Sequence, residues 1–206
     1  MKFLLLAASL ILTSCMSLSL DHSTLPQTGA AGRINREMIS GEPKSGLREI
    51  SYKRQFTRSV QGAEDTVRVM LFVDPYLKLN ARVQAEDDGK QKGYTQGQID
   101  EEFQRIYVNN MKSWVQTKTC FDFEINSNTK ESLNGWDVQL KSVADGATYD
   151  VDVKFAKEHL AGKGLLKWFQ FTGIMCTKER VEPALGLEMT LTPRYRQNKT
   201  IILKWE

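Results

Sequence analysis

Alternation is the dominant pattern along the chain. Tyr149, Val151, Val153 and Phe155 alternate with Asp150, Asp152 and Lys154, the period-two signature of a half-buried strand. Phe121, Phe123 and Ile125 alternate with Asp122 and Glu124 in the same way. Val67, Val69, Leu71 and Val73 alternate with Thr66, Arg68, Met70 and Phe72, so both faces are partly apolar, as in an inner strand. Asp74-Pro75 ends that run, because proline has no N–H to give a ladder. Upstream, Glu49 to Val60 spaces Tyr52, Arg54, Phe56, Arg58 and Val60 two apart and predicts an edge strand or hairpin arm. Further strands are predicted over 137–143, 165–173, 185–192 and 200–205, with turn signals at Asn134-Gly135 and Asp145-Gly146. Residues 86–93 (EDDGKQKG) are expected to be a solvated loop.

One helix stands out. Ile99, Phe103, Ile106, Asn110 and Trp114 recur at three- or four-residue steps. Thr95 is placed to cap it, with Gln98 as the capping-box partner. Its stripe is expected to lie against the sheet, where truncating a fully buried Phe103 to Ala would cost about 3–5 kcal/mol. The fold class that follows is α+β: mainly antiparallel β-sheet with one long amphipathic helix packed on it. A single globular domain over 48–206 accommodates all of these elements.

The first residues follow another logic. Lys2 precedes an uncharged apolar run, Phe3 to Leu12. A spanning helix needs roughly 20 such residues, so this shorter run reads as the core of a secretory signal peptide. It ends in Leu12-Thr13-Ser14-Cys15, which resembles the lipobox of bacterial lipoproteins. That resemblance implies cleavage before Cys15, with fatty chains such as palmitate on its thiol and on the new amino terminus. In the enteric members an Asp after the cysteine retains the protein at the inner membrane, so Met16 points to the outer membrane. Residues 1–14 are then signal peptide and 15–47 a lipid-anchored flexible tether. The tether segment is rich in Ser, Thr, Gly and Pro and would span about 30 Å as a coil. A short docked helix over Ile34–Ile39 is the alternative there.

Composition narrows the function classes. Apolar residues make up 41% and charged residues 26%, which argues against wholesale disorder and against a multi-span membrane protein. Lys and Arg number 28 against 25 Asp and Glu, a net charge of +3 that gives no reason to expect a nucleic-acid partner. His22 and His159 are the only histidines, too few for a histidine-rich metal site. With Cys15 acylated, Cys120 and Cys176 remain, and a disulfide between them suits an oxidising periplasm. Two buried free thiols, or a thiol paired with His159 for nucleophilic catalysis, are the alternatives.

Other constellations have bland readings beside the sharp ones. Asp145, Asp150 and Asp152 carry the hard oxygen ligands calcium prefers, yet their spacing is not that of an EF-hand and suits a solvated strand face. Trp114, Trp136, Trp168 and Trp205, with Arg194, Tyr195, Arg196 and Lys199, could line a polar-ligand or glycan surface, or be core and solvated loop. The order strand, helix, Trp114, Thr119-Cys120-Phe121 and Phe123 resembles the amino-terminal part of metzincin-type metalloproteases. The His-Glu-x-x-His zinc motif of that family is absent, so no metal ligand or catalytic residue carries over.

These readings predict an outer-membrane lipoprotein whose domain faces the periplasm. It is expected to act as a non-catalytic binding or scaffold module, without cofactor or metal. Its contacts would be the membrane, through the lipid, and another envelope protein or a wall polymer. An envelope hydrolase using Cys120 or Cys176 with His159, or a surface-exposed adhesin, is the alternative.

Overall fold

A computed structural model describes residues 38–39, 49–61, 65–128, 135–163, 166–194 and 200–206. Cys15 with its lipobox, His22, all of the 15–47 segment except Met38 and Ile39, Asn134, Leu165, Tyr195, Arg196 and Lys199 lie outside the described residues.

The strands are β1 (Thr57–Gln61), β2 (Asp65–Leu71), β3 (Cys120–Ser127), β4 (Trp136–Ser142), β5 (Thr148–Lys163), β6 (Leu166–Thr177), β7 (Leu187–Pro193) and β8 (Ile201–Trp205). They form one sheet in the order β1-β2-β3-β6-β5-β4-β7-β8. Every neighbouring pair is antiparallel. Alternation built these strands as read. Phe121, Phe123 and Ile125 of β3, Leu187, Met189 and Leu191 of β7, and Ile201, Leu203 and Trp205 of β8 all face the core. Each such side chain contributes about 1.5–3 kcal/mol when fully buried.

The sheet curls until its two outer strands meet. Arg58 of β1, almost wholly buried, donates its Nε to the Lys204 carbonyl of β8 at 2.7 Å. Trp205 returns the contact by donating its indole N–H to the Phe56 carbonyl at 2.7 Å. Its ring also meets Phe121 across the interior, 5.4 Å between centroids. Burial pushes the Arg58 guanidinium below its ordinary range, opposed by Glu206.

The helical part is not the single long helix expected. It comprises α1 (Glu49–Phe56), α2 (Asp74–Lys92), α3 (Gln96–Gln104), a π-helical segment (Arg105–Met111) and α4 (Ser113–Gln116). The predicted edge strand over 49–60 is half helix: Tyr52 and Phe56, four apart, share one buried helical face and stack at 6.5 Å. Spacings of four satisfy both periods, which is why alternation misled.

The predicted loop 86–93 is the end of α2. β2 ends at Leu71, ahead of the proline, and Pro75 instead supplies the favoured residue at the start of α2. Small residues at four-residue steps, Ala81, Ala85 and Gly89, form the buried stripe of α2, and Gly93 closes it in the left-handed region at φ 70°. Gly89 is required by a close approach: a Cβ there would sit 2.6 Å from Ile99 Cγ1 of α3.

The capping box of α3 forms as read. Thr95 N–H donates to Gln98 Oε1 at 2.9 Å and Gln98 N–H to Thr95 Oγ1 at 3.4 Å. Beyond Gln104 the helix loosens into π geometry, with Lys112 N–H donating to the Tyr107 carbonyl at 2.8 Å. The stripe rotates accordingly: Ile106 and Tyr107 are buried, Asn110 is exposed, and Phe103 is only half-buried. Phe103 packs at the margin of the core and lies under Arg82 of α2, whose guanidinium carbon is 4.2 Å from the ring centroid.

Met38 and Ile39, in the segment read as tether, are buried in the core. No described helix is long and apolar enough to cross a membrane.

Candidate functional site: the outer sheet face

Side chains of β2, β3, β6 and β5 that point away from the core form a polar lattice set by register. Thr66, Asn126, Gln170 and His159 make one row across the four strands, and Arg68, Glu124, Thr172 and Lys157 the next. Neighbouring strands lie about 4.8 Å apart, so each row spans roughly 14 Å.

Hydrogen bonds tie this lattice together. Glu124 accepts from Arg68 on one carboxylate oxygen. Its other oxygen accepts from Asn126 Nδ2 at 2.9 Å and from Gln170 Nε2 at 3.0 Å. Asn126 in turn accepts the Trp168 indole N–H at 3.1 Å. Five side chains on three strands thus form one connected ladder ending on an aromatic ring.

A β-bulge decides what β5 adds to this face. Val153 pairs with Met175, whereas Ala156 pairs with Gly173, and Lys154 is the extra residue. Downstream of it, even-numbered residues take the side that Val151 and Val153 hold upstream. Lys157 and His159 therefore come to the outer face. The alternation predicted to run through Phe155 is interrupted at Lys154, and His159 sits exposed within β5 opposite Gln170.

At the other end of the lattice lies a cleft of about 450 Å³ between α1, Tyr76 of α2 and the β2–β3 surface. Lys53, Arg54 and Arg68 bring cations to it, Asp122 a carboxylate, and Ile50 an apolar side chain that is 70% exposed. Asp122 keeps contact with solvent, yet the atoms gathered around its carboxyl in the cleft remove part of its hydration and raise it above the ordinary range. Arg68 and Lys53 oppose the rise, and Glu124 reinforces it. A perturbed carboxyl in a cleft beside named charges has the physical character of a binding site.

Two other concavities differ in character. Where β4 and β5 part beyond their short ladder at Gln139–Lys141 and Thr148–Asp150, a groove of about 580 Å³ opens, lined by Trp136, Val153, Lys154 and Arg194. Arg194 is committed there to Asp137, Nε to Oδ1 at 2.9 Å. A smaller cavity of about 190 Å³ is lined by Ile39, Phe72, Asp74, Lys118 and Arg180. Asp74 accepts from the Tyr107 hydroxyl and lies 3.3 Å from Lys78 Nζ.

The residues singled out from sequence separate clearly. Cys120 and Cys176 are joined in a disulfide across adjacent positions of β3 and β6, with Cα atoms 4.1 Å apart. Both are fully buried. His159 pairs with Gln170, six residues from Cys176 and therefore about 20 Å along the strand, so no Cys–His pair is assembled. Asp145 caps its own turn, accepting the Ala147 N–H at 3.0 Å, which holds its carboxyl below the usual range. The turn itself has four residues between Ser142 and Ala147 rather than two, with Gly146 at φ 72°. Asp152 contacts Lys154 at 3.4 Å. Among the described residues no cluster of His, Cys, Asp or Glu is placed to hold a metal ion.

The four tryptophans take different roles. Trp205 and Trp136 are buried, and Trp114 stacks on Phe72 at 5.6 Å. Trp168 alone among them counts as exposed, at 37%. Sequence reasoning had grouped it with Arg194, which the fold places in a different groove. The Glu124–Asn126–Gln170 ladder was missed; the polar residues alternating with Phe123 and Ile125 were its only signal. Compared with known proteins, the chain matches no family model and no curated relative.

Proposed function

We propose that this protein is a bacterial outer-membrane lipoprotein, acylated at Cys15, whose sheet domain binds a wall polymer or another envelope protein and catalyses nothing. The anchor reading rests on the Leu12-Thr13-Ser14-Cys15 motif behind a short apolar run. The domain would then face the periplasm, and lipid on both the thiol and the amino terminus would hold it at the membrane.

The observation that carries the binding reading is the hydrogen-bonded ladder of the outer face. It arranges guanidinium, carboxylate and amide groups beside an exposed indole. Such a surface is ordered before any partner arrives, which lowers the entropic cost of binding. A buried disulfide also leaves neither domain sulfur as a thiolate nucleophile.

Crosslinking in intact envelopes, followed by mass spectrometry, tests the binding reading: crosslinks to wall polymer or to an envelope protein are expected at outer-face residues. Intact mass of native material tests the anchor, with a terminus at Cys15 carrying fatty chains expected. An unprocessed Met1 start, or a mature terminus without them, overturns it. Alkylation without reductant is expected to leave residues 120 and 176 unlabelled, and one hyper-reactive thiol would overturn the non-catalytic reading.

A further inference from the structure

We propose that the outer face of β3, β6 and β5 is a saccharide-binding platform, with Trp168 as its stacking plate and Asn126, Gln170 and His159 as its polar readers. This deepens the proposed function and rests on it, naming the uncharged glycan part of a wall polymer as the ligand.

Three observations carry the inference. The first is Trp168 itself. The residue is 37% exposed on a regular strand, unlike the core tryptophans Trp136 and Trp205. Its indole N–H is already donated to Asn126 Oδ1 at 3.1 Å, so a hydrogen bond orients the ring. A fixed aromatic plate suits the apolar faces of sugar rings, which stack on it without paying for ring ordering.

The second is the chemistry beside the plate. Gln170 shares β6 with Trp168 two residues on, Asn126 pairs with Gln170 from β3, and His159 pairs with it from β5. Amide and imidazole groups donate and accept hydrogen bonds, matching the hydroxyl and acetamide groups of a glycan. Glu124 holds both amide side chains at about 3 Å, fixing which atoms they turn outward.

The third is charge. Within the ladder the one cation, Arg68, is paired with the one anion, Glu124. Trp168, Asn126, Gln170 and Thr172 carry no charge, and Lys157 of β5 adds a single cation at the margin, beside Thr172. A platform neutral at its centre selects no polyanion such as a nucleic acid, and its polar surface is equally unsuited to an apolar helix. An uncharged chain of acetamido sugars is the polymer whose chemistry it complements.

The test uses the mature, lipidated chain in detergent, titrated with chitotetraose, the β-1,4-linked tetramer of N-acetylglucosamine, while indole fluorescence is followed. Saturable binding is expected, weakened about tenfold by Trp168→Ala and substantially restored in Trp168→Phe, which keeps a stacking ring. Asn126→Leu, which releases the indole N–H, is expected to weaken binding several-fold. Near-UV circular dichroism of each variant confirms that the fold persists. No saturable binding at millimolar sugar, or binding indifferent to Trp168→Ala, overturns the proposal. Crosslinking in intact envelopes separates this failure from that of the wider reading. Protein crosslinks without sugar binding remove the saccharide platform but leave a binding module, whereas neither signal removes both.

Discussion

The two faces of β3 use the same backbone for opposite ends. Inward, Phe121, Phe123 and Ile125 are almost completely buried among β6, β8 and the neighbouring strands. Outward, Asp122, Glu124 and Asn126 are tied by hydrogen bonds and charge while keeping contact with solvent. The inner set is held by area removed from water, which is non-directional and large. The outer set is held by directional bonds that water competes for, each small in net terms. Burial and surface hydrogen bonding are thereby divided between adjacent residues, so an outer-face substitution can change the polar surface without unfolding the domain.

Phe123→Ala should give the largest effect. It removes a buried ring and leaves a cavity, and urea unfolding should register a loss of about 3–5 kcal/mol. Glu124→Ala, its immediate neighbour, should cost about 1 kcal/mol or less. Equal losses for the two would erase the contrast between the faces.

Next in size is the covalent link. Replacing both Cys120 and Cys176 by Ala opens a loop of 56 residues in sequence separation, and the stability lost should be about 2–4 kcal/mol by denaturant unfolding. Four of the five ladder side chains lie on β3 and β6, the strands the disulfide joins, and the ladder should survive if its register is set by the sheet. Retained binding by the destabilised variant would show that independence, and lost binding in a folded variant would contradict it.

Gly89→Ala should be smaller and tests the helical layer. Alanine favours a helix by up to about 1 kcal/mol, yet its Cβ would meet Ile99 Cγ1 at 2.6 Å. Overpacking of this kind costs about 1–3 kcal/mol, so a net loss near 1 kcal/mol is expected in thermal unfolding. A rise in Tm would mean that α3 shifts freely against α2.

Asp122→Asn should be the smallest and the only stabilising change. The folded carboxyl is raised above its unfolded value, so the native state holds its proton more tightly. Stability from this group is therefore greatest below the ordinary carboxylate range and declines as pH rises through the raised value. Asparagine carries no such penalty. The variant should be more stable than the native chain at neutral pH and equal to it in acid, as read by unfolding at both pH values. A neutral-pH loss would mean that the Arg68 and Lys53 contacts outweigh desolvation.

Legibility in the sequence followed the same division. Strands with a buried side announced themselves: the alternating Phe121–Ile125 run led to β3, and 200–205 to β8, because burial imposes a period. The Thr95–Gln98 cap was equally plain, since a local hydrogen-bond pair needs no tertiary context. Helix α2 was hidden because its buried stripe uses Ala81, Ala85 and Gly89, whose small side chains carry little hydrophobic signal, while Asp87, Asp88, Lys90 and Lys92 make its end look solvated. The outer-face ladder was harder still. Nothing local distinguishes Trp168 from Trp136 or Trp205, and Asn126 meets Trp168 only because β3 pairs with β6, forty-two residues away in sequence.

Lys154 sets the reading frame of the β5 arm, much as an inserted base resets a message. In an uninterrupted ladder, Ala156 and Leu160 would lie outward beside Thr172 and Trp168, and His159 would be turned toward the opposite face. Deleting Lys154 itself keeps every downstream partner, whereas deleting any one residue between Lys157 and Lys163 throws the remainder of the arm out of phase. One position thus tolerates a length change that its neighbours do not, and the chemistry displayed at the tip depends on that asymmetry.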